Sequence, residues 1–325
     1  MKNLSSIFIL IIGTLLLTAC SKEKAEPPPS PEAEYLLEWG SSGPRDSEFD
    51  QPIGIAIDDE GFIHISDSEN NVIKKFSEFG ELYDKWSGGG SEETALQTPM
   101  HIASDGENLY VTEYDTDRVQ KFSADHKSET IFGTGSQPEG ALDTPSGVAV
   151  DGEGNVYVSG FYNGSVKKYS PEGEFLIQIG TAGKKDEGKL NHPTDVAVGA
   201  DGNIYVADAY NDRVQVFTPL GEFLRKWGDT PKLGNKNIEG SFNVATGIGI
   251  DSEGRVYVAD FYNNRIQVFD PEGKFLLSFG TQGRGEGQFE RPTDVAVDKA
   301  GNIYVVDWGN DRVQKLRIIW PEATN

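Results

Sequence analysis

The sequence predicts an all-β protein, a six-bladed β-propeller of four-stranded antiparallel blades. Three observations predict it. One segment recurs at nearly constant spacing, each copy breaks into four short strand-like runs, and no stretch sustains a helical period. The recurring segments begin at Pro52-Ile53-Gly54, Pro99-Met100-His101, Pro145-Ser146-Gly147, Pro193-Thr194-Asp195, Ala245-Thr246-Gly247 and Pro292-Thr293-Asp294, with spacings of 47, 46, 48, 52 and 47 residues. Such a period suits one blade. Glycine at 38 positions and aromatics at 10% of the 325 residues supply turns and β-favouring side chains.

The fourth repeat displays the strands in order. Asp195-Val196-Ala197-Val198 alternates as a short first strand, and Asp201-Gly202 makes a hairpin turn. Ile204-Tyr205-Val206-Ala207 follows as the second strand, Asn211-Asp212 marks the next turn, and Val214-Gln215-Val216-Phe217 is the third. Glu222 to Trp227 is the fourth. In a propeller the first strand lines the central channel and the fourth lies at the rim. The middle of the first strand is always small (Ala56, Ala103, Ala149, Ala197, Gly249, Ala296), which suits strands crowding toward an axis.

After Leu316 the sixth repeat offers only Ile318-Ile319-Trp320. A spare strand stands at the other end: Tyr35-Leu36-Leu37-Glu38-Trp39-Gly40 matches Glu222 to Gly228 in character. The N-terminal strand is therefore expected to complete the last blade, which removes the open sheet edge. The domain limits that follow are 1–19 for a signal peptide, 20–34 for a linker, 35–320 for the propeller and 321–325 for a tail.

The N-terminus reads as an address. Lys2 precedes an apolar run from Ile7 to Leu17, too short for a bilayer span of about 20 residues. Leu17-Thr18-Ala19-Cys20 resembles the lipobox of bacterial lipoproteins, and Cys20 is the single cysteine of the chain. That resemblance implies cleavage before Cys20, acylation of its sulfur and amine (palmitate-class chains), and a membrane anchor in the cell envelope facing the periplasm or exterior. Each buried CH₂ adds about 0.8 kcal/mol to such anchoring. Ser21 to Ala33, polar and Pro-rich, reads as an extended spacer.

The run Tyr205-Val206-Ala207-Asp208-Ala209-Tyr210-Asn211-Asp212-Arg213-Val214-Gln215-Val216-Phe217, nearly repeated from Tyr257 to Phe269, is similar to the NHL-repeat signature. The glycine-rich stretch Gly280 to Phe289 resembles the same family, and the resemblance extends from about Tyr35 to Trp320. It implies the fold and leaves function open, because such scaffolds serve enzymes, sensors and binders alike. Acid and arginine stand five apart as Glu113 and Arg118, Asp208 and Arg213, Asp260 and Arg265, Asp307 and Arg312. Repeat three has Gly160 and Ser165 instead, and repeat one pairs Asp67 with Val72. These pairs are expected to fix loops or bridge blades, not to catalyse.

A formal charge of −23 opposes nucleic-acid binding, since the counterion-release term needs a basic surface. The partners expected are the membrane, through the lipid, and a protein, peptide or glycan. The loops from fourth to first strand and from second to third share one face. On it stand Tyr114, Phe161, Tyr162, Tyr210, Phe261, Tyr262 and Trp308. Rings with a polar edge give large contact area at small entropic cost. The longest connection, 228–244, carries Lys232, Lys236 and Asn237.

The third residue of each recurring segment should ring the channel entrance: Gly54, His101, Gly147, Asp195, Gly247, Asp294. His101, Asp195 and Asp294 fall on alternate blades, and one imidazole with two carboxylates suits Ca²⁺, Zn²⁺ or Mn²⁺. Asp is also a turn-capping residue. Among relatives implied by the resemblance is the peptide-amidating lyase, a zinc enzyme using several histidines. The four histidines here, His64, His101, His126 and His192, do not reproduce that set. No nucleophile elbow, P-loop or HExxH motif occurs. The leading expectation is a non-catalytic binding module on the envelope. The alternatives are a metal-dependent lyase or hydrolase at the channel mouth and a structural component of an envelope complex.

Overall fold

In the computed structural model, residues 30–136, 138–230 and 238–321 are described. The signal peptide, Cys20, most of the spacer, Lys232, Lys236, Asn237 and the last four residues lie outside them. Among the described residues no helix is long and apolar enough to cross a membrane.

Six four-stranded antiparallel sheets form the blades, in the order the repeats dictate. Blade one is Pro52–Ile57, Ile63–Asp67, Val72–Phe76 and Leu82–Trp86; blade two is Pro99–Ser104, Asn108–Glu113, Arg118–Ser123 and Ser128–Phe132. Blade three is Pro145–Val150, Val156–Gly160, Ser165–Tyr169 and Phe175–Ile179; blade four is Pro193–Val198, Ile204–Asp208, Arg213–Phe217 and Phe223–Trp227. Blade five is Ala245–Ile250, Val256–Asp260, Arg265–Phe269 and Phe275–Phe279. Blade six is Pro292–Val297, Asn302–Asp307 and Arg312–Ile319, completed by Glu32–Trp39.

That closing strand starts three residues before the expected Tyr35. It pairs antiparallel with Arg312–Ile319, from Glu32 opposite Ile319 to Trp39 opposite Val313, with a bulge between Tyr35 and Leu37. The apolar end Ile318-Ile319-Trp320 is no stunted fourth strand. Ile318 and Ile319 extend the third strand, and Trp320 lies under the Arg255 guanidinium at 4.3 Å.

Burial follows position in the blade. Second strands are buried on both faces, as in Ile204–Asp208, and rim strands alternate, as in Phe223–Trp227. The hydrophobic core is divided into clusters, each joining two adjacent blades. The seam between blades six and one holds Trp39, Phe49, Phe76 and Tyr304, with the Trp39 and Phe76 rings 5.7 Å apart. The small column of the inner strand has the expected steric origin, with the next blade as the neighbour. A Cβ on Gly249 would lie 2.5 Å from the Val295 carbonyl oxygen.

Each inner strand breaks register just after its proline position, for example between Pro52 and Ile55 or Pro193 and Asp195. Such a bulge re-aims nearby side chains, and here it lies within or beside the channel-ring position.

Candidate functional site

The upper face carries the loops from fourth to first and from second to third strands. Their proximity is direct: Asp50 N–H donates to Asp67 Oδ1 at 2.7 Å, and Tyr114 N–H donates to the Thr98 carbonyl at 3.1 Å. In every blade but the third, a left-handed Asn or Asp before the third strand ties one blade to the next. Asn71, Asp117, Asp212, Asn264 and Asp311 accept from Thr98, Thr144, Val244, Arg291 and Gln51 N–H respectively.

The acid of each Asp–Arg pair is buried and acts as a hub. Asp208 accepts from Asn191 N–H, Asn211 Nδ2, Arg213 Nε and Gln215 Nε2 at 2.6–2.9 Å. The rest of the Arg213 fork goes to carbonyls of Lys185, Asp186 and Lys189. Only Arg118, with both Glu113 oxygens, is bidentate; elsewhere the guanidinium clamps loop carbonyls. Burial raises the Asp208, Asp260 and Asp307 carboxyls above their usual range despite these donors. In blade one the missing arginine is replaced by Lys74, whose buried ammonium meets Asp67 Oδ2 at 2.7 Å. The pairs are architectural, as expected.

At the channel mouth, side-chain atoms of His101, Asp195 and Asp294 come within 4.8 Å of one another. All three residues are buried. Their alternation with glycine is steric: a Cβ on Gly54 would lie 2.6 Å from His101 Cα, and one on Gly247 would lie 2.5 Å from Asp294 Cα. Each large residue thus sits over the glycine of the preceding blade.

The hydrogen bonds of the ring are well used. His101 Nδ1 donates to Asp195 Oδ1 at 2.9 Å, and Asp195 Oδ2 accepts from Ile248 N–H of the next blade at 2.7 Å. Asp294 Oδ2 accepts from Ile55 N–H across the blade-six seam at 3.0 Å, and Oδ1 from Val295 N–H at 2.8 Å. Burial pulls the His101 pKa down, yet the charges of Asp195 and Asp294 and the hydrogen bond outweigh it and hold it at about 9. Burial pushes the Asp294 carboxyl up; against the pull of His101 and with the push of Asp195 it reaches about 7. A buried imidazolium between two acids satisfies itself without a metal. The donor set and spacing also fit a divalent cation, because each carboxylate oxygen keeps a second lone pair.

His101, Asp195 and Asp294, together with Ile55, Ile102, Val148, Val196, Ile248 and Val295, line a cavity of about 190 Å³. Hydroxyls stitch the blades together around it in two ways. Ser66 and Thr112 donate to the Met100 and Ser146 carbonyls of the next blades. In the second half, Thr194, Thr246 and Thr293 donate to carbonyls of Thr246, Pro292 and Ile53. Sequence analysis did not single out these hydroxyls.

The seven aromatic residues divide into two groups. In blades two to four, Phe161, Tyr162 and Tyr210 surround His192, with ring centroids 4.5, 5.7 and 4.8 Å from the imidazole. Burial and the neighbouring Tyr162 raise the Tyr114 phenol, which borders the group. In blades five and six, Phe261 packs on Tyr262 and Trp308, and Arg291 lies 5.9 Å from the last two rings. Phe161, Phe261 and Trp308 are half-buried and serve as supports. Tyr162 and Tyr210 are 56% and 58% exposed, and Tyr262 is 53% exposed. His192 and Arg291 complete these groups, and of the two only Arg291 had no signal in the sequence. Both hold the left-handed conformation just before an inner strand, which turns them toward these rings.

The remaining histidines serve packing. His64 Nε2 donates to Asp58 at 2.9 Å in place of the tyrosine used by other blades, and His126 stacks on Trp86 at 3.7 Å.

Comparison with known proteins agrees with the fold. Residues 190–217 match the NHL repeat, 249–315 a 6-bladed beta-propeller family, and 90–185 the SMP-30/Gluconolactonase/LRE-like region. "Protein brain tumor" of Drosophila melanogaster is 40% identical over 47 residues, 14% of this chain. The chain spans about 4% of that relative's length. Among solved structures, a Bacteroides thetaiotaomicron protein of unknown function superposes with TM-score 0.69 at 16% identity, covering 89% of this chain and 77% of its own. An auxiliary nutrient binding protein from the same organism gives 0.65 at 12% identity, covering 89% and 76%. A gluconolactonase from Xanthomonas campestris gives 0.63 at 14% identity, covering 91% and 99%. At such identities the likeness is one of fold.

Proposed function

We propose that this propeller is a ligand-binding module, tethered to the cell envelope by lipid on Cys20, that takes a peptide, protein or glycan on its upper face. The observation that carries this reading is the exposure of Tyr162, Tyr210 and Tyr262 over half-buried supporting rings. A tyrosine held by a neighbour loses little freedom on binding, so most of its contact area counts. The nutrient-binding fold relative is in keeping with this use. A formal charge of −23 opposes nucleic acid as the partner. The test is a peptide and glycan array probed with the protein and with the Tyr162→Ala/Tyr210→Ala double variant. Ligands of this face are expected to be lost from the variant, and an unchanged pattern would overturn the reading. The tether is tested separately: Cys20→Ala is expected to move the protein from the detergent phase to the aqueous phase.

A second reading is favoured by one observation, the convergence of His101, Asp195 and Asp294. These residues would hold a divalent metal, and a bound metal would supply Lewis-acid activation for a lyase or hydrolase. His101 must give up its proton to become a ligand, so binding would strengthen as pH rises. Elemental mass spectrometry of protein purified without chelator, beside Asp195→Asn/Asp294→Asn, decides it. One metal per chain that disappears in the variant would promote the enzyme reading, and its absence from both would leave the ring as a structural ion cluster.

A further inference from the structure

The His101–Asp195–Asp294 ring borders the cavity of about 190 Å³, and every residue lining that cavity belongs to an inner strand. None comes from the upper loops. At its far end stand Ile57, Ile250 and Val297, each the last residue of its strand and so at the lower edge of its blade. Asp294 and Val297 are three residues apart, which is about 10 Å of extended chain. The cavity therefore runs down the inner strands, from the ring to the lower face.

The lower face meets it there. Ile57 also borders a surface depression with Asp105 and Glu107, and Ile250 and Val297 border a second with Asp251 and Asp298. Asp59, Asp151 and Asp251 have cation partners in Lys299, Lys168 and Arg255. Among the described residues Asp105, Glu107 and Asp298 form no ion pair, so the lower mouth is negative and draws cations. The ring has something to receive them. His101 is 4% exposed and its Nδ1 is taken by Asp195, but its Nε2 has no hydrogen-bond partner among the described residues. The cavity has the liquid volume of roughly six waters, room for a cation with part of its hydration shell.

We propose that the ring is loaded from the lower face: a partly hydrated divalent cation, gathered by the acids of the lower mouth, passes the collar of Ile57, Ile250 and Val297 and rises to His101, Asp195 and Asp294. This inference rests on the metal reading of the ring and adds its entrance. It places that entrance on the face opposite the exposed tyrosines, so the centre meets only ions and small molecules that pass an apolar collar. On arrival the cation displaces the His101 proton, which leaves to solvent. A collar without charge makes a hydrated ion shed water. The collar therefore sets the rate of loading, and the ring sets the affinity.

The test follows Mn²⁺ uptake by the full chain, stripped with chelator and dialysed, through loss of the free-ion paramagnetic resonance signal. Val297→Cys sets a thiol of similar size in the collar, and benzyl methanethiosulfonate plugs it after the protein has folded. The parent treated with the same reagent controls for Cys20. One Mn²⁺ per chain is expected in the parent and in the unlabelled variant. Labelling the variant should slow uptake at least about tenfold and leave the final occupancy unchanged, and reduction of the label should restore the rate. Asp195→Asn/Asp294→Asn should take up none. Uptake by the labelled variant at the unlabelled rate, or failure of the introduced thiol to react in the folded protein, would overturn the entrance while the metal reading stands. No Mn²⁺ in the parent, or uptake that survives in the double variant, would overturn both.

Discussion

Asp195 shows how one side chain can serve two blades: one oxygen holds His101 and the other holds Ile248 N–H. Because the His101 pKa is raised from 6.5 to about 9, its proton is bound more tightly in the folded than in the unfolded chain. The stability it contributes is complete below pH 6.5 and is lost as pH rises through about 9. Metal-free protein in chelator should therefore lose Tm across that window, and His101→Asn should flatten that part of the curve. A parent and variant with parallel profiles would refute the assignment. The glycines of the ring make a second prediction at this scale. Gly247→Ala forces a Cβ against Asp294 backbone and should cost about 2 kcal/mol, read by chemical denaturation. Gly152, with open space around its Cβ position, is the control and should tolerate alanine.

Among the elements, the closing strand Glu32–Trp39 seals blade six through its pairing with Arg312–Ile319. Trp39 packs on Phe76 and Tyr304, so it binds blade one as well. Trp39→Ala should cost about 3 kcal/mol and favour opening of this seam, measurable as faster hydrogen exchange in Arg312–Ile319. Uniform exchange across all blades would contradict that localisation. The blades themselves were legible in the sequence because turn residues and period-two alternation are local signals. The ring was legible too, since repeats place equivalent residues at equivalent points around an axis. Lys74 escaped notice for a physical reason: positions 72 and 74 lie on one strand face, so a cation two residues along reaches the same acid. The start of the closing strand was misplaced by three residues because Glu32, Ala33 and Glu34 pair through backbone and lack the apolar pattern. Arg291 was missed because its direction depends on a left-handed backbone conformation fixed by Asn264 of the neighbouring blade.

At the scale of the whole molecule, the two faces differ in design. The lower face is made of tight turns in which Asp58, Asp105, Asp151, Asp251 and Asp298 accept their own turn N–H groups. Those acids also accept from His64, Tyr110, Tyr157, Tyr257 and Tyr304, so they are consumed by structure. The upper face instead ends in the exposed rings of Tyr162, Tyr210 and Tyr262. Binding on that face is the central claim. The most direct measurement is calorimetric titration of the strongest array ligand into the parent, the Tyr162→Ala/Tyr210→Ala variant, and a Tyr83→Ala control whose ring is exposed on the rim strand of blade one. The account predicts affinity at least about thirtyfold weaker in the double variant, corresponding to about 2 kcal/mol, and parent-like affinity in the control. Equal affinity in all three, or loss in the control alone, would contradict it.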